Sequence, residues 1–309
     1  MTLNDNELMK LIKTNDDKKI ILYGAASRGI RVFYNLIQKG INKNQILFCD
    51  SNIEKWNTTF LGIKIISKDE LLSLPNNVLI IISSSLHYEI FPYLTKLGFS
   101  NIHYFHSLLF TEKMYEKYDP DFLRIITEIG DKRGFDYEEG YTLYSSVKAV
   151  NNLSGEIAEV GVYQGSSAKL IAEIKNNKNL YLFDTFEGLP ETSKNDQVKS
   201  GWLSNTSLES VQKYLSKYDN LFFFKGIFPK TTSSISNKFC FVHLDTDLYQ
   251  STLDALTFFW PRMVKGGRII SHDYNANDIG GVKKAFNEFF INSPEKIIEI
   301  ADTQALVIK

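Results

Sequence analysis

Short apolar strands alternate with helical segments along most of the 309 residues, and this alternation predicts an α/β fold. Two stretches show it, residues 18–106 and the chain from Ile157 onward, and each begins with a strand that runs into a glycine-rich turn. The strands are apolar on both faces, which is typical of parallel strands buried between two layers of helices. Because crossovers between parallel strands are right-handed, we predict two doubly wound parallel-sheet domains.

The composition is that of a globular protein large enough for two hydrophobic cores. Hydrophobic residues make up 43% of the chain and charged residues 23%, and the net charge is -1. This balance gives no electrostatic reason to expect nucleic acid or an anionic membrane as a partner. Residues 1–19 lack the apolar core of a secretory signal, and the longest apolar runs are too short to span a bilayer. We therefore expect a cytoplasmic protein.

The first domain is predicted over residues 1–106. A short amphipathic helix is expected within residues 1–18. The predicted strands are Lys19–Tyr23, Gln45–Cys49, Val78–Ile82 and Ile102–Phe105, and a helix is predicted over Tyr88–Leu97. Strands and helices at this spacing form successive βαβ units, so we predict a small Rossmann-like domain.

The loop after the first strand resembles the fingerprint of dinucleotide-binding proteins. Gly24, Ala26 and Gly29 occupy its three glycine positions, and Asp50 stands where an acid would bind the ribose. The alanine at the middle position impedes the close approach of a pyrophosphate. This half also resembles small Rossmann-like modules attached to bacterial sugar-modifying enzymes, through the segment Cys49–Asn52. Nucleotide binding and a docking or oligomerisation role are both open for it.

Helices fill the middle of the chain, and a second α/β pattern follows them. Residues 107–140 are predicted to be a helical linker with helices over Leu108–Tyr118 and Asp121–Ile129, and residues 141–309 are predicted to be a second domain. Its six predicted strands are Ile157–Val160, Leu180–Phe183, Leu221–Phe224, Phe239–Leu244, Arg268–Ser271 after a Gly266–Gly267 turn, and Ala305–Ile308. Its predicted helices are Tyr141–Val150, Ser166–Ile174, Leu208–Tyr218, Ser251–Phe259 and Val282–Phe290.

Acidic side chains follow two neighbouring strands of this second domain. Asp245 and Asp247 come after one apolar strand, and His272 and Asp273 come after the next. Because the carboxyl ends of parallel strands meet at one edge of a sheet, we expect these side chains to converge there. Like charges held so close raise each other's pKa unless a cation joins them, and oxygen ligands suit a hard divalent ion. This edge is the predicted reactive end of an enzyme.

A glycine turn precedes another strand-end acid in the same domain. Gly161 and Gly165 bound the turn, Glu159 comes before it, and Asp184 ends the next strand. An acid at that position suits a ligand whose ribose hydroxyls need an acceptor. Glu159 would repel a pyrophosphate, which argues against a nicotinamide dinucleotide and favours a cationic ligand such as the amino-acid end of S-adenosylmethionine.

The polar stretch from Glu191 to Ser204 has the composition of a loop and carries one aromatic residue, Trp202. It is long for a connection inside a compact domain. We predict that it is a mobile lid, which would exclude water while the reactants are aligned.

Five ordered motifs of the second domain resemble the macrocin O-methyltransferase family. They are Ala158–Gly165, Phe183–Pro190, Lys225–Pro229, Asp245–Thr252, and His272–Tyr274 after the Gly266–Gly267 pair. The resemblance covers about residues 140–309. It implies a class I methyltransferase fold and an enzyme that uses S-adenosylmethionine and Mg²⁺ to methylate a sugar hydroxyl.

The resemblance also implies roles for individual residues. Asp245 and Asp273 would bind the metal ion, Asp245 and Asp247 would be catalytic with Asp247 as the base, and Glu159 and Asp184 would contact the cofactor. The further cofactor contacts expected are Gly161, Gly165, Ser167, Thr185, Phe186 and Gly226. Family members often carry Asp-Asp-Tyr where this chain has His272-Asp273-Tyr274. An imidazole prefers softer metals than magnesium, so either Mn²⁺ is bound with His272 as a ligand or His272 stands outside the ligand shell.

The expected mechanism follows from charge. A divalent ion on two vicinal hydroxyls lowers the pKa of one, Asp247 accepts its proton, and the oxygen attacks the sulfonium methyl. The expected acceptor is a nucleotide-linked sugar or a surface-polysaccharide sugar, and the expected assembly is a homo-oligomer. Two alternatives stay open, an O-methyltransferase for catechol-like or natural-product acceptors and a non-catalytic nucleotide-binding scaffold. Asp247 has a structural alternative as the cap of the helix from Ser251, and His243 is expected to be a core residue.

Overall fold

The structure is a computed structural model that describes residues 2–3, 5–13, 19–84, 86–105, 119–130, 134–276, 279–301 and 303–309. Two compact units divide the chain, Met1–Leu123 and Arg124–Lys309. The predicted helix Leu108–Tyr118 lies outside the described residues. No helix in the described ranges is both long enough and apolar enough to cross a bilayer.

The first unit is built on one sheet. Its strands are β1 (Thr2–Leu3), β2 (Ile20–Tyr23), β3 (Ile46–Cys49), β4 (Thr59–Phe60), β5 (Ile63–Ile66), β6 (Leu79–Ile82) and β7 (Ile102–Phe105). Its helices are α1 (Asp5–Lys13), α2 (Ser27–Gln38), α3 (Lys68–Leu72) and α4 (His87–Lys96). The strands lie in the order β1-β7-β6-β2-β3-β5-β4, and the neighbours are parallel except β4 and β5. The predicted α/β class and its parallel sheet are confirmed here.

Sequence reasoning missed β1, β4, β5 and α3 in this unit. β1 and β4 have two residues each and α3 has five, too few to show a hydrophobic period. The hairpin of β4 and β5 turns at Leu61 and Gly62, both with positive φ.

Asp50 of the first unit is engaged by its own chain. Its Oδ2 accepts hydrogen bonds from the Ala25 backbone N–H at 2.8 Å and from Lys55 Nζ at 3.2 Å, and its Oδ1 accepts one from the Asn52 N–H at 2.9 Å. Only 8% of Asp50 is exposed. The acid of the dinucleotide fingerprint therefore braces the glycine-containing turn after β2 through the Ala25 N–H, and much of its acceptor capacity is used within the chain.

The second unit also has one sheet, with helices between its strands. The strands are β8 (Glu156–Val160), β9 (Leu180–Asp184), β10 (Leu221–Lys225), β11 (Phe239–Leu244), β12 (Met263–Ser271), β13 (Ile298–Glu299) and β14 (Ala305–Ile308). The helices are α5 (Pro120–Ile129), within which the two units divide, α6 (Tyr137–Val150), α7 (Ser166–Ile174), α8 (Leu208–Tyr214), α9 (Tyr249–Phe259) and α10 (Gly280–Phe290). The short 3-10 helices are Lys230–Thr232 and Trp260–Arg262.

The sheet order of the second unit is β10-β9-β8-β11-β12-β14-β13, with β14 antiparallel to both of its neighbours. All six residues of β11 are buried, as expected of a central strand between two layers of helices. Aromatic side chains dominate the core around it. Phe183, Phe228, Phe239 and Phe259 pack there ring against ring, with centroids 4.9 to 6.1 Å apart. The sheet order reverses between β8 and β11, which is where ligands bind in such sheets.

The predicted Gly266–Gly267 turn before the fifth strand is wrong, because both glycines lie inside β12. Phe239 pairs with Met263 but Phe241 pairs with Arg268, so β12 bulges between these pairs. Gly266 has a φ of +80°, which lets the strand bend without ending.

Two predicted helix ends in this unit are also wrong. The helix expected to begin at Tyr141 begins at Tyr137, because Asp136 and Glu139 form a capping box with reciprocal hydrogen bonds. The helix expected to run to Tyr218 ends at Tyr214. β13 was not predicted, and with two residues it is too short to show a pattern.

Gly161, directly after β8, marks a close approach of two chain segments. A Cβ atom at this position would lie 1.7 Å from the backbone oxygen of Asp245, and its φ is +88°. The Asp245 N–H donates a hydrogen bond to the Val160 oxygen at 2.9 Å. The start of the glycine turn is therefore packed directly on the backbone of a predicted site residue.

We expect Gly161→Ala to lower the free energy of unfolding of the second unit by ~3–5 kcal/mol, because the added methyl overlaps the Asp245 carbonyl. Gly266→Ala is the matched control, since its φ is +80° and an added Cβ meets Leu153 only at 3.5 Å. For the control we expect a loss of ~1–2 kcal/mol. Urea unfolding followed by circular dichroism measures both, and equal losses would contradict the close approach.

An ionic cluster on the second unit surrounds Glu173. The carboxylate of Glu173 lies 2.8 Å from Lys217 Nζ and 3.3 Å from Arg124 Nη2, and it accepts a hydrogen bond from the Tyr218 hydroxyl at 2.6 Å. Burial by itself would raise the pKa of Glu173, but these hydrogen bonds outweigh it and lower the pKa to about 2. The cluster ties α5 and α7 to the segment after α8.

Because its pKa is lowered on folding, Glu173 stabilises the fold above about pH 4.5, and this contribution disappears as the pH falls toward 2. We expect Glu173→Gln to cost ~1 kcal/mol at neutral pH, since Lys217 and Arg124 are half exposed. The difference from wild type should narrow as the pH is lowered through the acid range. Urea unfolding at several pH values tests this, with the exposed loop variant Glu191→Gln as control. A difference that stays constant with pH would contradict it.

Candidate functional site

The structure brings the predicted acidic side chains together at the carboxyl edge of the second sheet. Asp245 and Asp247 follow β11, and Asp273 follows β12. One carboxylate oxygen from each of the three lies within 4.8 Å of the other two. Asp247 and Asp273 are 8% and 7% exposed. Asp245 is only partly buried. Holding three carboxylates this close together makes it costly to ionise all of them.

The burial and closeness of these side chains shift the pKa values of the three aspartates and of His272. Burial, and then the charge of Asp273, raise the pKa of Asp247 well above its ordinary value. Burial also raises the pKa of Asp245, and the charge of Asp247 adds to this effect. Burial, and then the charge of Asp245, raise the pKa of Asp273 well above its ordinary value. Burial by itself would lower the pKa of His272, but Asp245 and the carboxylates around it outweigh burial and raise the pKa to about 10. The cluster therefore favours a positive charge beside it.

Asp247 sits in a strained backbone conformation. Its φ is +58°, and the Leu248 N–H donates a hydrogen bond to the Thr246 oxygen at 2.6 Å, which closes a γ-turn around Asp247. Positive φ is unusual for a residue with a side chain, and such strain concentrates at functional sites. The alternative role of Asp247 as a helix cap is wrong. Helix α9 begins at Tyr249, and its first N–H donates to Asp196 Oδ1 at 2.7 Å.

Asp196 belongs to the predicted lid, and sequence reasoning missed its role. Besides capping α9, it accepts a hydrogen bond from the Ser193 N–H at 2.7 Å. Asn195 Oδ1 accepts one from Lys284 Nζ of α10 at 3.0 Å. The segment has no helix or strand, as predicted, but its tip is tied to the helix that follows Asp247. Its motion as a lid stays a prediction.

Asp184 braces the glycine turn. Its Oδ2 accepts hydrogen bonds from the backbone N–H groups of Val162 and Tyr163 at 2.7 and 2.8 Å, and its Oδ1 accepts one from the Phe186 N–H at 2.6 Å. Tyr163 and Phe186 both have positive φ. The carboxylate therefore holds two strained loops together, and most of its acceptor capacity is used within the chain.

Most of the other predicted cofactor residues lie on the same edge. Gly165 has a φ of +84° and comes directly before α7, where Ser167 is buried in the first turn. Thr185 donates a hydrogen bond to the Gly188 oxygen at 2.6 Å, and the Gly226 N–H donates to the Asp184 oxygen at 2.9 Å. The loops after β8, β9 and β10 are thus linked to one another around a helix N-terminus, which carries a positive partial charge.

Glu159 lies inside β8 and is fully buried, with its Oε1 2.8 Å from His243 Nδ1. Burial raises the pKa of Glu159 to about 8, against the opposing effect of the Ser167 hydroxyl. Burial lowers the pKa of His243 to about 4, so the imidazole is neutral at physiological pH. His243 is a core residue, as predicted, but it contacts the site through Glu159 and the neighbouring His272, whose ring centroid is 5.9 Å away.

Three polar residues behind the site were missed. The buried Glu139 of α6 accepts a hydrogen bond from the Thr303 hydroxyl at 2.8 Å, and that hydroxyl is also 2.7 Å from the His272 backbone oxygen. Gln304, fully buried before β14, lies 3.4 Å from His272 Nδ1 through its Nε2. The sequence signal for Glu139 was the Asp136-x-x-Glu139 capping box, whereas nothing local marks Thr303 or Gln304.

An open groove of about 520 Å³ begins at Tyr274, the residue after Asp273. Lys283, Lys284 and Glu288 of α10 contribute its charged lining. Lys283 lies over the Tyr274 ring and donates a hydrogen bond to Asn275 Oδ1 at 2.6 Å. The groove therefore starts one residue from the carboxylate cluster and runs along α10.

The sheet order of the second unit, its antiparallel seventh strand and the polar edge at the switch point define a class I methyltransferase fold. The chain belongs to the macrocin-O-methyltransferase (TylF) family, whose sequence profile matches residues 126–303. The family resemblance seen in the motifs is therefore confirmed. Residues 16–104 match a second family, described as C2185-like, N-terminal.

Individual relatives are similar over part of the chain. The 8-demethyl-8-(2,3-dimethoxy-alpha-L-rhamnosyl)-tetracenomycin-C 4'-O-methyltransferase of Streptomyces olivaceus is 30% identical, over 40% of this chain and 54% of its own length. The mycinamicin III 3''-O-methyltransferase of Micromonospora griseorubida is 25% identical, over 46% of this chain and 68% of its own. The chain thus spans about half the length of the first relative.

Among solved structures, the O-methyltransferase NovP superposes with a TM-score of 0.52 at 22% identity, covering 57% of this chain and 81% of that one. At this identity the superposition supports the fold alone.

Proposed function

We propose that this chain transfers a methyl group from S-adenosylmethionine to a hydroxyl of a sugar, with a divalent cation in the site. The observation that carries the proposal is the group of three carboxylates, two buried and one partly buried, within 4.8 Å of one another on a sheet edge beside the braced glycine turn. Membership of the macrocin-O-methyltransferase family supports the reaction. The names of two relatives, which specify a rhamnosyl compound and mycinamicin III, support a sugar acceptor.

The donor fits the loops after β8, β9 and β10. The turn from Gly161 to Gly165 lets a ligand approach the backbone, and Ser167 lies in the helix turn that follows. Thr185, Phe186 and Gly226 complete the same edge. S-adenosylmethionine supplies an activated methyl group on a sulfonium. In this arrangement Asp184 acts mainly by holding the turn in shape, and Glu159 is hydrogen-bonded to His243 beneath the turn.

A cation fits the donor set at the edge. Asp245 and Asp273 offer carboxylate oxygens, His272 offers a ring nitrogen, and the buried carboxyls lack a compensating lysine or arginine within ion-pair distance among the described residues. When bound, the ion lowers the pKa of a hydroxyl that it coordinates. The imidazole favours Mn²⁺ over Mg²⁺.

Asp247 is the proposed general base. Its raised pKa makes it a better proton acceptor than an ordinary aspartate, and its strained γ-turn fixes the carboxylate at the end of β11. The acceptor hydroxyl would lose its proton to Asp247 as its oxygen bonds to the methyl carbon, while the bond between that carbon and the sulfonium sulfur would break and release S-adenosylhomocysteine. Asp196 and the segment around it help to keep water from that edge.

The open groove at Tyr274 is the proposed acceptor side. Lys283 and Lys284 in its lining suit an acceptor that carries phosphate, which favours a nucleotide sugar over a surface-polysaccharide sugar. A catechol-like acceptor is the second candidate, since vicinal phenols also chelate a divalent ion. Cytoplasmic location and a homo-oligomeric state stay predictions from the sequence.

Incubation with S-adenosylmethionine, Mn²⁺ or Mg²⁺ and a panel of acceptors tests the proposal. The panel contains nucleotide sugars, free sugars, glycosylated macrolides and catechols, and mass spectrometry detects the gain of one methyl group. We expect methylation of sugar acceptors and its loss with a chelator. Methylation of catechols alone, or of nothing while the donor stays unbound, would contradict the proposal.

We expect Asp247→Asn to lower kcat at least ~1,000-fold while donor affinity is retained, because the amide cannot accept the proton. Asp254→Asn, a partly buried aspartate of α9 that accepts a hydrogen bond from Gln250, is the matched control and should keep full activity. An Asp247→Asn variant that keeps its rate would overturn the assignment.

We expect Asp184→Asn to weaken donor binding by ~10–100-fold, because the amide group replaces an oxygen that accepts backbone hydrogen bonds from the glycine turn. Isothermal titration with S-adenosylhomocysteine measures this. Asp219→Asn, at an exposed position before β10, serves as the control. Unchanged affinity in the Asp184 variant would show that the turn holds its shape without the carboxylate.

A further inference from the structure

His243 carries a buried ring nitrogen that the fold leaves unused. The residue is fully buried in β11, and its Nδ1 is hydrogen-bonded to Glu159 at 2.8 Å. Its Nε2 has no hydrogen-bond partner among the described residues. Leaving a buried polar atom unpaired costs roughly 1–3 kcal/mol, so such an atom calls for a physical reason.

His243 belongs to a group of possible metal ligands. It lies in β11, and Asp245 follows this strand two residues later in the chain. One donor atom from each of His243, Asp245 and His272 lies within 4.8 Å of the other two. The two imidazole rings are 5.9 Å apart and nearly perpendicular, at 85°. Two imidazoles and a carboxylate thus converge beside the carboxylate triad.

Each imidazole has an outer partner of the kind that metal-bound histidines have. A ligating histidine usually donates its other ring N–H to a carboxylate or carbonyl oxygen, which fixes the ring and its tautomer. Glu159 is placed to do this for His243. Gln304 does it for His272 when its side-chain amide is turned over, which puts the buried and otherwise unpartnered Oε1 against Nδ1.

We propose that His243, Asp245 and His272 form a site for a transition-metal dication, with Glu159 as the positioning residue behind His243. Asp245 is shared with the oxygen-lined triad of Asp245, Asp247 and Asp273. The inference deepens the proposed function by assigning the class of the ion and one more of its ligands. The role of the ion in methyl transfer rests on the proposed function, whereas the binding of the ion does not depend on it.

The ligand chemistry decides the class of ion. Magnesium binds oxygen ligands and keeps much of its water, whereas imidazoles select manganese, iron, cobalt, nickel or zinc. Two imidazoles with one carboxylate is a known ligand set for such ions. A buried histidine paired with a glutamate is also common in protein cores, but that pairing uses only Nδ1 and leaves Nε2 unexplained.

The test uses the full chain without a histidine tag. Titration with Co²⁺ is followed by visible absorption, whose d–d bands report binding of the ion, and Mg²⁺ is titrated in competition. We expect Co²⁺ to bind at least ~100-fold more tightly than Mg²⁺. His243→Gln should weaken Co²⁺ binding by ~10–100-fold and leave Mg²⁺ binding unchanged. His87→Gln, a buried histidine of the other unit, is the matched control and should bind Co²⁺ as wild type does.

A second measurement on the wild-type chain covers the case in which the His243 variant fails to fold. Pulsed electron paramagnetic resonance of bound Mn²⁺, with ¹⁵N-labelled histidine, counts the coordinated ring nitrogens. Two nitrogens support the site. None or one, meaning an ion held by oxygen or by His272 alone, overturns it, as does equal Co²⁺ affinity in wild type and a folded His243→Gln.

Failure of this inference is distinct from failure of the proposed function. A chain that methylates sugars with Mg²⁺ and shows no coordinated histidine pair keeps its function and loses this site. A chain that binds Co²⁺ through two imidazoles but neither binds S-adenosylmethionine nor transfers a methyl group keeps the site and loses the function.

Discussion

Repulsion among buried carboxylates is the constraint on which the second unit depends. Asp245, Asp247 and Asp273 are brought within a few ångströms of one another at the end of two central parallel strands. Burial and mutual repulsion raise the pKa of each, so the ionised cluster is costly unless a positive charge joins it. The same carboxylates raise the pKa of His272, because they stabilise a positive charge on its ring. The fold therefore brings potential anionic ligands together before any ion binds, which is the basis of the cation in our proposal.

The glycine turn after β8 is held by backbone contacts. Gly161 lies against the carbonyl of Asp245, so the glycine turn and the carboxylate cluster share one backbone contact and cannot move independently. Asp184 ties the turn to the next loop through three backbone N–H groups, and Asp196 ties the lid segment to the helix after Asp247. These contacts fix the loop residues relative to the strands of the sheet, so the loops are held almost as rigidly as the strands themselves.

The sequence predicted what depends on local pattern. Continuous apolar runs located the central strands, and the rule that strand ends share an edge located Asp245, Asp247 and Asp273 together. The sequence pattern could not predict contacts between segments that are far apart in the chain. The Glu159–His243 pair depends on the register of β8 against β11, and the Asp196 cap depends on where a long loop folds back. The Gly266–Gly267 pair predicted a turn, but it lies in a bulged strand. A pair of glycines is common at both kinds of position, so the local sequence does not distinguish them.

Calorimetric unfolding of wild type and Asp273→Asn at pH 8, with and without Mn²⁺, tests the demand for a cation most directly. The account predicts that saturating Mn²⁺ raises the midpoint of wild type by ~5 °C or more. It also predicts that Asp273→Asn, with one charge fewer, unfolds above ion-free wild type and gains little from Mn²⁺. The account would be contradicted if Mn²⁺ left the unfolding midpoint of wild type unchanged and Asp273→Asn unfolded at a lower temperature than ion-free wild type.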